Sequence, residues 1–222
     1  MNYQAVIFDL DGTLVNSLDD LADSANAMLA QLGYPTHPVE KYKYFVGNGS
    51  RKLIERILPA DKRSKEEVDA CLKLYQSIYD LGNINKTRLY PGITEMVAHL
   101  KKQGLKLGVC TNKHVSAATL ILDHFFSKDT FPDFVADRPG TDFKRKPDPT
   151  EVLKLAARLG VQPEQVAYLG DTSVDMETAT RAGFLPVGVL WGFRTKQELL
   201  QSGARILLSQ PAELLEKVTF AK

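Results

Sequence analysis

At 222 residues, 44% of them apolar and 25% charged, the chain has the balance of a globular protein with one substantial core and room for a second, smaller one. A formal net charge of +1 gives no basic excess to draw it to nucleic acid or an anionic membrane surface. No run approaches the ~18 apolar residues expected of a membrane span.

Ala5-Val6-Ile7-Phe8 is a short apolar run halted by Asp9-Leu10-Asp11-Gly12, the pattern of a strand buried on both faces. Leu18, Leu21, Ala22, Ala25, Met28, Leu29 and Leu32 then recur at helical spacing, with Ser17 placed to cap the helix and Gly33 to end it. From Tyr34 to about Lys86 the patterns are helical only, over residues 39–45, 50–58 and 64–79. Past Tyr90-Pro91-Gly92 the character changes. A helix over 93–102 leads to a strand over 105–110 that ends at Thr111-Asn112, then to a helix over 114–125 and a short strand near Phe134-Val135. Pro149 is placed to open a helix closed by Gly160, at the first helical position. A strand over 166–169 stops at Gly170-Asp171, and a helix near 174–181 precedes a strand over 185–190.

Alternating strands and helices predict an α/β fold, a Rossmann-like doubly wound parallel sheet with helices on both faces. The helical block between the first strand and the rest reads as an insertion. The expected division is a core of residues 1–15 and 86–222 with a small helical cap of residues 16–85.

Two cysteines, Cys71 and Cys110, fall in different predicted elements and form no metal or redox pair. His37, His99, His114 and His124 have no metal-ligand spacing. The opening Met1-Asn2-Tyr3-Gln4 lacks the basic and apolar segments of a secretory signal, so a cytoplasmic enzyme is expected, acting as a monomer or homodimer.

Ligands of an open parallel sheet bind beyond the carboxyl ends of its strands. Asp9, Asp11, Thr111, Asn112 and Asp171 all follow predicted strands, and Lys146 precedes a helix. This set suits phosphoryl transfer. A carboxylate can attack phosphorus to form an aspartyl phosphate, which water then hydrolyses. An anionic nucleophile meeting an anionic ester needs a cation, and magnesium favours carboxylates such as Asp9 and Asp171. Lys146 would neutralise the equatorial oxygens and the Thr111 hydroxyl would orient them. Asp11 would act as general acid and then base. Each segment alone has a structural explanation, as a turn, a loop start or a helix cap. Their ordered combination does not.

Asp9-Leu10-Asp11-Gly12-Thr13-Leu14, Thr111-Asn112, Lys146-Pro147-Asp148-Pro149 and Gly170-Asp171-Thr172-Ser173-Val174-Asp175 resemble the four ordered motifs of the haloacid dehalogenase superfamily. Within it the chain is most similar to the phosphoglycolate phosphatase group. The resemblance implies that Asp9 is nucleophile and metal ligand, and that Asp11 is acid/base and binds metal through its backbone carbonyl. It implies further that Thr111 and Lys146 hold the phosphoryl group, that Asp171 ligates magnesium, and that Asp175 supports the metal directly or through water. Asn16 departs from the aspartate often present there in the resembling phosphatases.

The implied substrate is a small phosphate ester, 2-phosphoglycolate first. Gly47-Asn48-Gly49-Ser50-Arg51 is either a plain turn capping the next helix or a cap loop over the substrate, in which case Asn48 and Arg51 would receive an anionic substituent. A phosphosugar phosphatase or β-phosphoglucomutase-like mutase shares the same core residues, and a non-catalytic ligand-binding module is the alternative from another class.

Overall fold

The computed structural model describes residues 2–82 and 84–221. In chain order the elements are β1 (Ala5–Phe8), β2 (Val15–Asn16), α1 (Leu18–Gln31), α2 (Val39–Phe45), α3 (Ser50–Ile57) and α4 (Lys65–Gly82). Next come β3 (Arg88–Leu89), α5 (Ile93–Lys102), β4 (Lys106–His114), α6 (Val115–Phe125), β5 (Asp133–Asp137) and α7 (Thr150–Arg158). The chain continues through β6 (Val166–Gly170), α8 (Ser173–Ala182), β7 (Leu185–Val189), α9 (Lys196–Gln201), β8 (Ile206–Leu208) and α10 (Leu214–Lys217).

Six strands form one sheet in the order β5-β4-β1-β6-β7-β8, every pair parallel. The chain builds β4 and β5 on one side of β1, then returns to build β6, β7 and β8 on the other. The crevice of the reversal therefore opens at the carboxyl end of β1. Alternation along β1 divides the core into two layers. Val6 and Phe8 join Leu107, Val109, Leu169 and Val187 with α5 and α6 on one face, while Ala5 and Ile7 join Val135, Tyr168 and Leu155 with α7 and α8 on the other.

A third apolar cluster is built from α1 to α4, including Leu21, Met28, Leu53, Ile54 and Tyr75, and it also takes in Ala117 and Phe193. No helix among the described residues is long and apolar enough to cross a membrane.

The helices expected over 39–45 and 93–102 form with those bounds. Other details differ for local reasons. A two-stranded antiparallel pair, β2 with β3, joins the entry and exit of the helical block, and neither strand was expected from the sequence. Pairs of two residues carry no readable periodicity. β4 runs on past Cys110 to His114 because its polar residues there are buried rather than looped out. Ser17 occupies the capping position of α1, but its hydroxyl donates to Asp11 Oδ1 and not to the helix end. Pro149 is the residue before α7 rather than its first member.

Candidate active site

Asp9 is the first residue past β1, and its N–H donates to Leu169 O of β6 at 2.9 Å. Asp171 directly follows β6, and Asp175 lies in the first turn of α8. One carboxylate oxygen from each of Asp9, Asp171 and Asp175 lies within 4.8 Å of the other two, and all three residues are buried. Glycine permits this approach. A Cβ on Gly12, whose φ is +82°, would stand 2.3 Å from Asp171 Oδ2, and one on Gly170 would stand 2.2 Å from Asp175 Cβ. Thr13 Oγ1 and the Phe193 N–H donate to the two Asp171 oxygens at 3.3 and 2.8 Å.

Lys146 closes the group from the loop before α7. Its Nζ lies 2.6 Å from Asp175 Oδ1 and 2.9 Å from Asp9 Oδ1, and it also donates to Tyr168 OH at 3.2 Å. The other Asp175 oxygen accepts from the Thr172 N–H and hydroxyl at 3.1 and 2.6 Å. Burial pushes the Asp9 carboxyl up to about 7, with Asp175 adding repulsion and Lys146 opposing. Burial, then Asp175 and Asp9, raises Asp171 well above the carboxylate range. Burial also works against the Lys146 charge, but Asp175 and Asp9 outweigh it and raise its value. One ammonium is thus set against three buried carboxylates. Hard oxygen donors short of positive charge fit a small divalent cation.

Asp11 stands apart from this cluster. Its carboxylate accepts from Lys113 Nζ at 3.0 and 3.2 Å and from Ser17 Oγ at 2.5 Å. Lys113 was not among the residues singled out from sequence, although strand alternation past Thr111 places both on one face. Thr111 is 2% exposed, and its hydroxyl accepts from the Lys113 N–H at 3.1 Å. Asn112 acts on backbone. Its Nδ2 donates to Gly47 O and Lys146 O, both at 3.1 Å, and its Oδ1 accepts from the Lys146 N–H at 2.8 Å. Asn112 also lines one cavity with Asp9 and Asp11, and it joins the loop before α7 to the loop before α3.

Asp9, Asp11, Thr111 and Lys113 line a cavity whose wall also includes Leu53, Tyr75, Tyr79 and Phe193. Gly47, Gly49 and Ser50 reach it, but Asn48 and Arg51 do not. The Asn48 side chain accepts from Arg56 Nη2 at 2.8 Å. Arg51 turns to Asp69 on α4, in an adjacent hollow, where the ion pair satisfies the charge that a substrate anion was expected to meet.

The comparisons with known proteins agree with this arrangement. A family model described as haloacid dehalogenase-like hydrolase matches residues 6–189. The phosphoglycolate phosphatase of Psychrobacter arcticus is 34% identical over 208 residues, covering 90% of this chain and 89% of the relative. That of Mannheimia succiniciproducens is 34% identical over 222 residues, covering 97% of this chain and 98% of the relative. Among solved structures, a protein from Lactobacillus delbrueckii subsp. bulgaricus superposes with a TM-score of 0.90 at 26% identity over 99% of each chain. A predicted phosphoglycolate phosphatase from Haemophilus somnus gives 0.87 at 28% identity over 98% of each chain. With the family match running from the first strand through the fifth strand of the main sheet, the chain belongs to the haloacid dehalogenase-like hydrolases.

Proposed function

We propose that this hydrolase is a magnesium-dependent phosphatase that cleaves a small phosphate monoester, foremost 2-phosphoglycolate, through covalent catalysis at Asp9. The observation that carries the reading is the Asp9 carboxylate in the cavity wall, 2.9 Å from Lys146 Nζ and grouped with Asp171 and Asp175. Magnesium, held by Asp9 and Asp171 with Asp175 behind them, would neutralise charge between nucleophile and ester.

Asp9 attacks phosphorus as the bond to the ester oxygen breaks, and Asp11 gives its proton to that leaving oxygen. Water then attacks the aspartyl phosphate, Asp11 takes up the proton released, and phosphate leaves. Thr111 and Lys146 orient and balance the phosphoryl oxygens throughout. Asn112 keeps Lys146 in place through its backbone.

The names of the curated relatives support 2-phosphoglycolate as the substrate. The division into a core of residues 1–15 and 86–222 and a cap of residues 16–85 belongs to the same proposal. The β2–β3 pair is the joint between them, and closure of the cap excludes bulk water. Two free buried cysteines suit a cytoplasmic setting.

The test is phosphate release from 2-phosphoglycolate, phosphosugars and p-nitrophenyl phosphate, each with magnesium and with chelator. Release should require magnesium and favour 2-phosphoglycolate. Turnover no better than that of p-nitrophenyl phosphate removes the substrate assignment, and release indifferent to magnesium removes the chemistry.

A further inference from the structure

We infer that Tyr79 and Lys113 form the subsite that recognises the leaving group, and that they select a carboxylate carried close to the ester oxygen. The inference rests on the phosphatase reading and gives this pair the role that the sequence suggested for Arg51.

Tyr79, on α4, lines the cavity and is 4% exposed. Its hydroxyl is buried, yet among the described residues no group hydrogen-bonds to it. Buried hydroxyls in folded proteins are almost always bonded, so this orphan on a residue of the cavity wall has a hydrogen bond still to give to a ligand that reaches it. Tyr75 stacks on its ring, with centroids 5.7 Å apart, and helps to hold it.

Lys113 supplies the charge. It is the one lysine or arginine among the described residues that lines this cavity. Its side chain is 5% exposed, and its Nζ lies 4.7 Å from the centroid of the Tyr79 ring. An ammonium has three N–H directions, and the two contacts to Asp11 leave at least one for the cavity. Asp80 also lines the cavity and adds a negative charge, so selection depends on direct contact with these two donors rather than on the net field.

The position of Lys113 also limits the length of the substrate. It touches Asp11, the residue assigned to protonate the leaving oxygen. A carboxylate held by Lys113 must therefore sit only a few bonds from that oxygen. Short 2-phospho acids meet this condition. Longer phospho acids and phosphosugars do not.

The experiment compares kcat/KM for 2-phosphoglycolate with that for ethyl phosphate, which has the same length without the carboxylate. It uses the wild type, Tyr79→Phe, Lys113→Met and Arg51→Met. The preference for the acidic ester should fall by about tenfold in Tyr79→Phe and by about a hundredfold in Lys113→Met, mainly through KM. Arg51→Met should keep the wild-type preference. Tyr79→Phe removes only an unbonded oxygen, so it decides the matter alone if Lys113→Met does not fold. A preference intact in Tyr79→Phe and Lys113→Met, or lost in Arg51→Met, overturns the inference and leaves the substrate assignment standing. A wild type that does not distinguish the two esters overturns both, while magnesium-dependent phosphate release would still mark a phosphatase.

Discussion

The backbone N–H of Phe193 donates to Asp171 Oδ2 at 2.8 Å, while the Phe193 side chain belongs to the apolar cluster of α1 to α4. One residue thus touches both a carboxylate of the proposed metal site and the helical layer above it. Arg194 extends the link, donating to Lys43 O and to Val46 O, with its guanidinium 5.4 Å from the Tyr44 ring. The segment after β7 ties the position of the helices to the geometry of the acidic cluster.

Gly192 makes this link sensitive to a single methyl group. A Cβ there would stand 2.2 Å from Asp171 Cβ and 2.5 Å from Gly12 O, so the backbone has to move. Gly192→Ala is expected to lower kcat by about a hundredfold, the scale of a small misplacement at a reacting centre, and to raise the magnesium concentration for half-activity. Magnesium titration of phosphate release measures both. Unchanged half-saturation would separate the segment from the metal site.

Asp20 holds the other end of the helical block. From α1, its carboxylate accepts from the Lys86 N–H at 3.0 Å and from the Thr87 N–H and hydroxyl at 2.7 and 2.6 Å. These bonds fix the returning chain beside the β2–β3 joint. Asp20→Ala leaves buried donors without an acceptor and should destabilise the protein by about 2–4 kcal/mol. Asp20→Asn, which keeps one acceptor oxygen, should fall between. Urea unfolding gives the comparison through the midpoint at constant slope.

Asp9, Asp11, Thr111 and Asp171 were legible in the sequence because polar residues interrupt apolar runs at predicted strand ends, and Lys146 because it stands in a proline-punctuated loop before a predicted helix. The parallel sheet was legible for the same reason, since strands buried on both faces read as continuous apolar runs. Arg51 was not, because Asp69 on another helix decides its direction, and no local pattern records that. Tyr79 ends the helical pattern over residues 64–79, but its unpartnered hydroxyl exists only in three dimensions. Phe193 and Arg194 have no helix or strand period, so their link between two layers left no trace in spacing. Asn112 was visible as a polar residue, yet both of its partners are backbone groups far along the chain.

Asp9→Asn separates chemistry from stability. The amide cannot attack phosphorus, so turnover should fall by about a thousandfold or more. At a pH above the value of about 7 to which Asp9 is raised, the same change removes one charge from three crowded, buried carboxylates, and Lys146 keeps its 2.6 Å partner Asp175. The metal-free variant should therefore melt at a higher temperature than the metal-free wild type, and magnesium should add less to it. Thermal scans with chelator and with magnesium test this. A lower melting temperature in chelator would mean that the Asp9–Lys146 pair outweighs the crowding.

The pH dependence of the proposed metal site follows from the same carboxylate. Asp9 is raised from 3.8 to about 7 in the folded protein, by burial first and Asp175 second, and Asp171 is raised in the same direction. Between those two values the metal-free fold keeps a proton on Asp9 that the unfolded chain has released. The stabilisation from this group is complete below 3.8 and lost as pH rises through about 7. A metal ligand must be free of its proton, so the proton that stabilises the empty site competes with the ion. Magnesium affinity should rise with pH through neutrality, by about tenfold per pH unit for the proton displaced from Asp9, with the melting-temperature gain from magnesium growing over the same range. Calorimetric titration from about pH 5.5 to about pH 8.5 spans this window. An affinity constant across it would show that the ion does not displace a proton from Asp9.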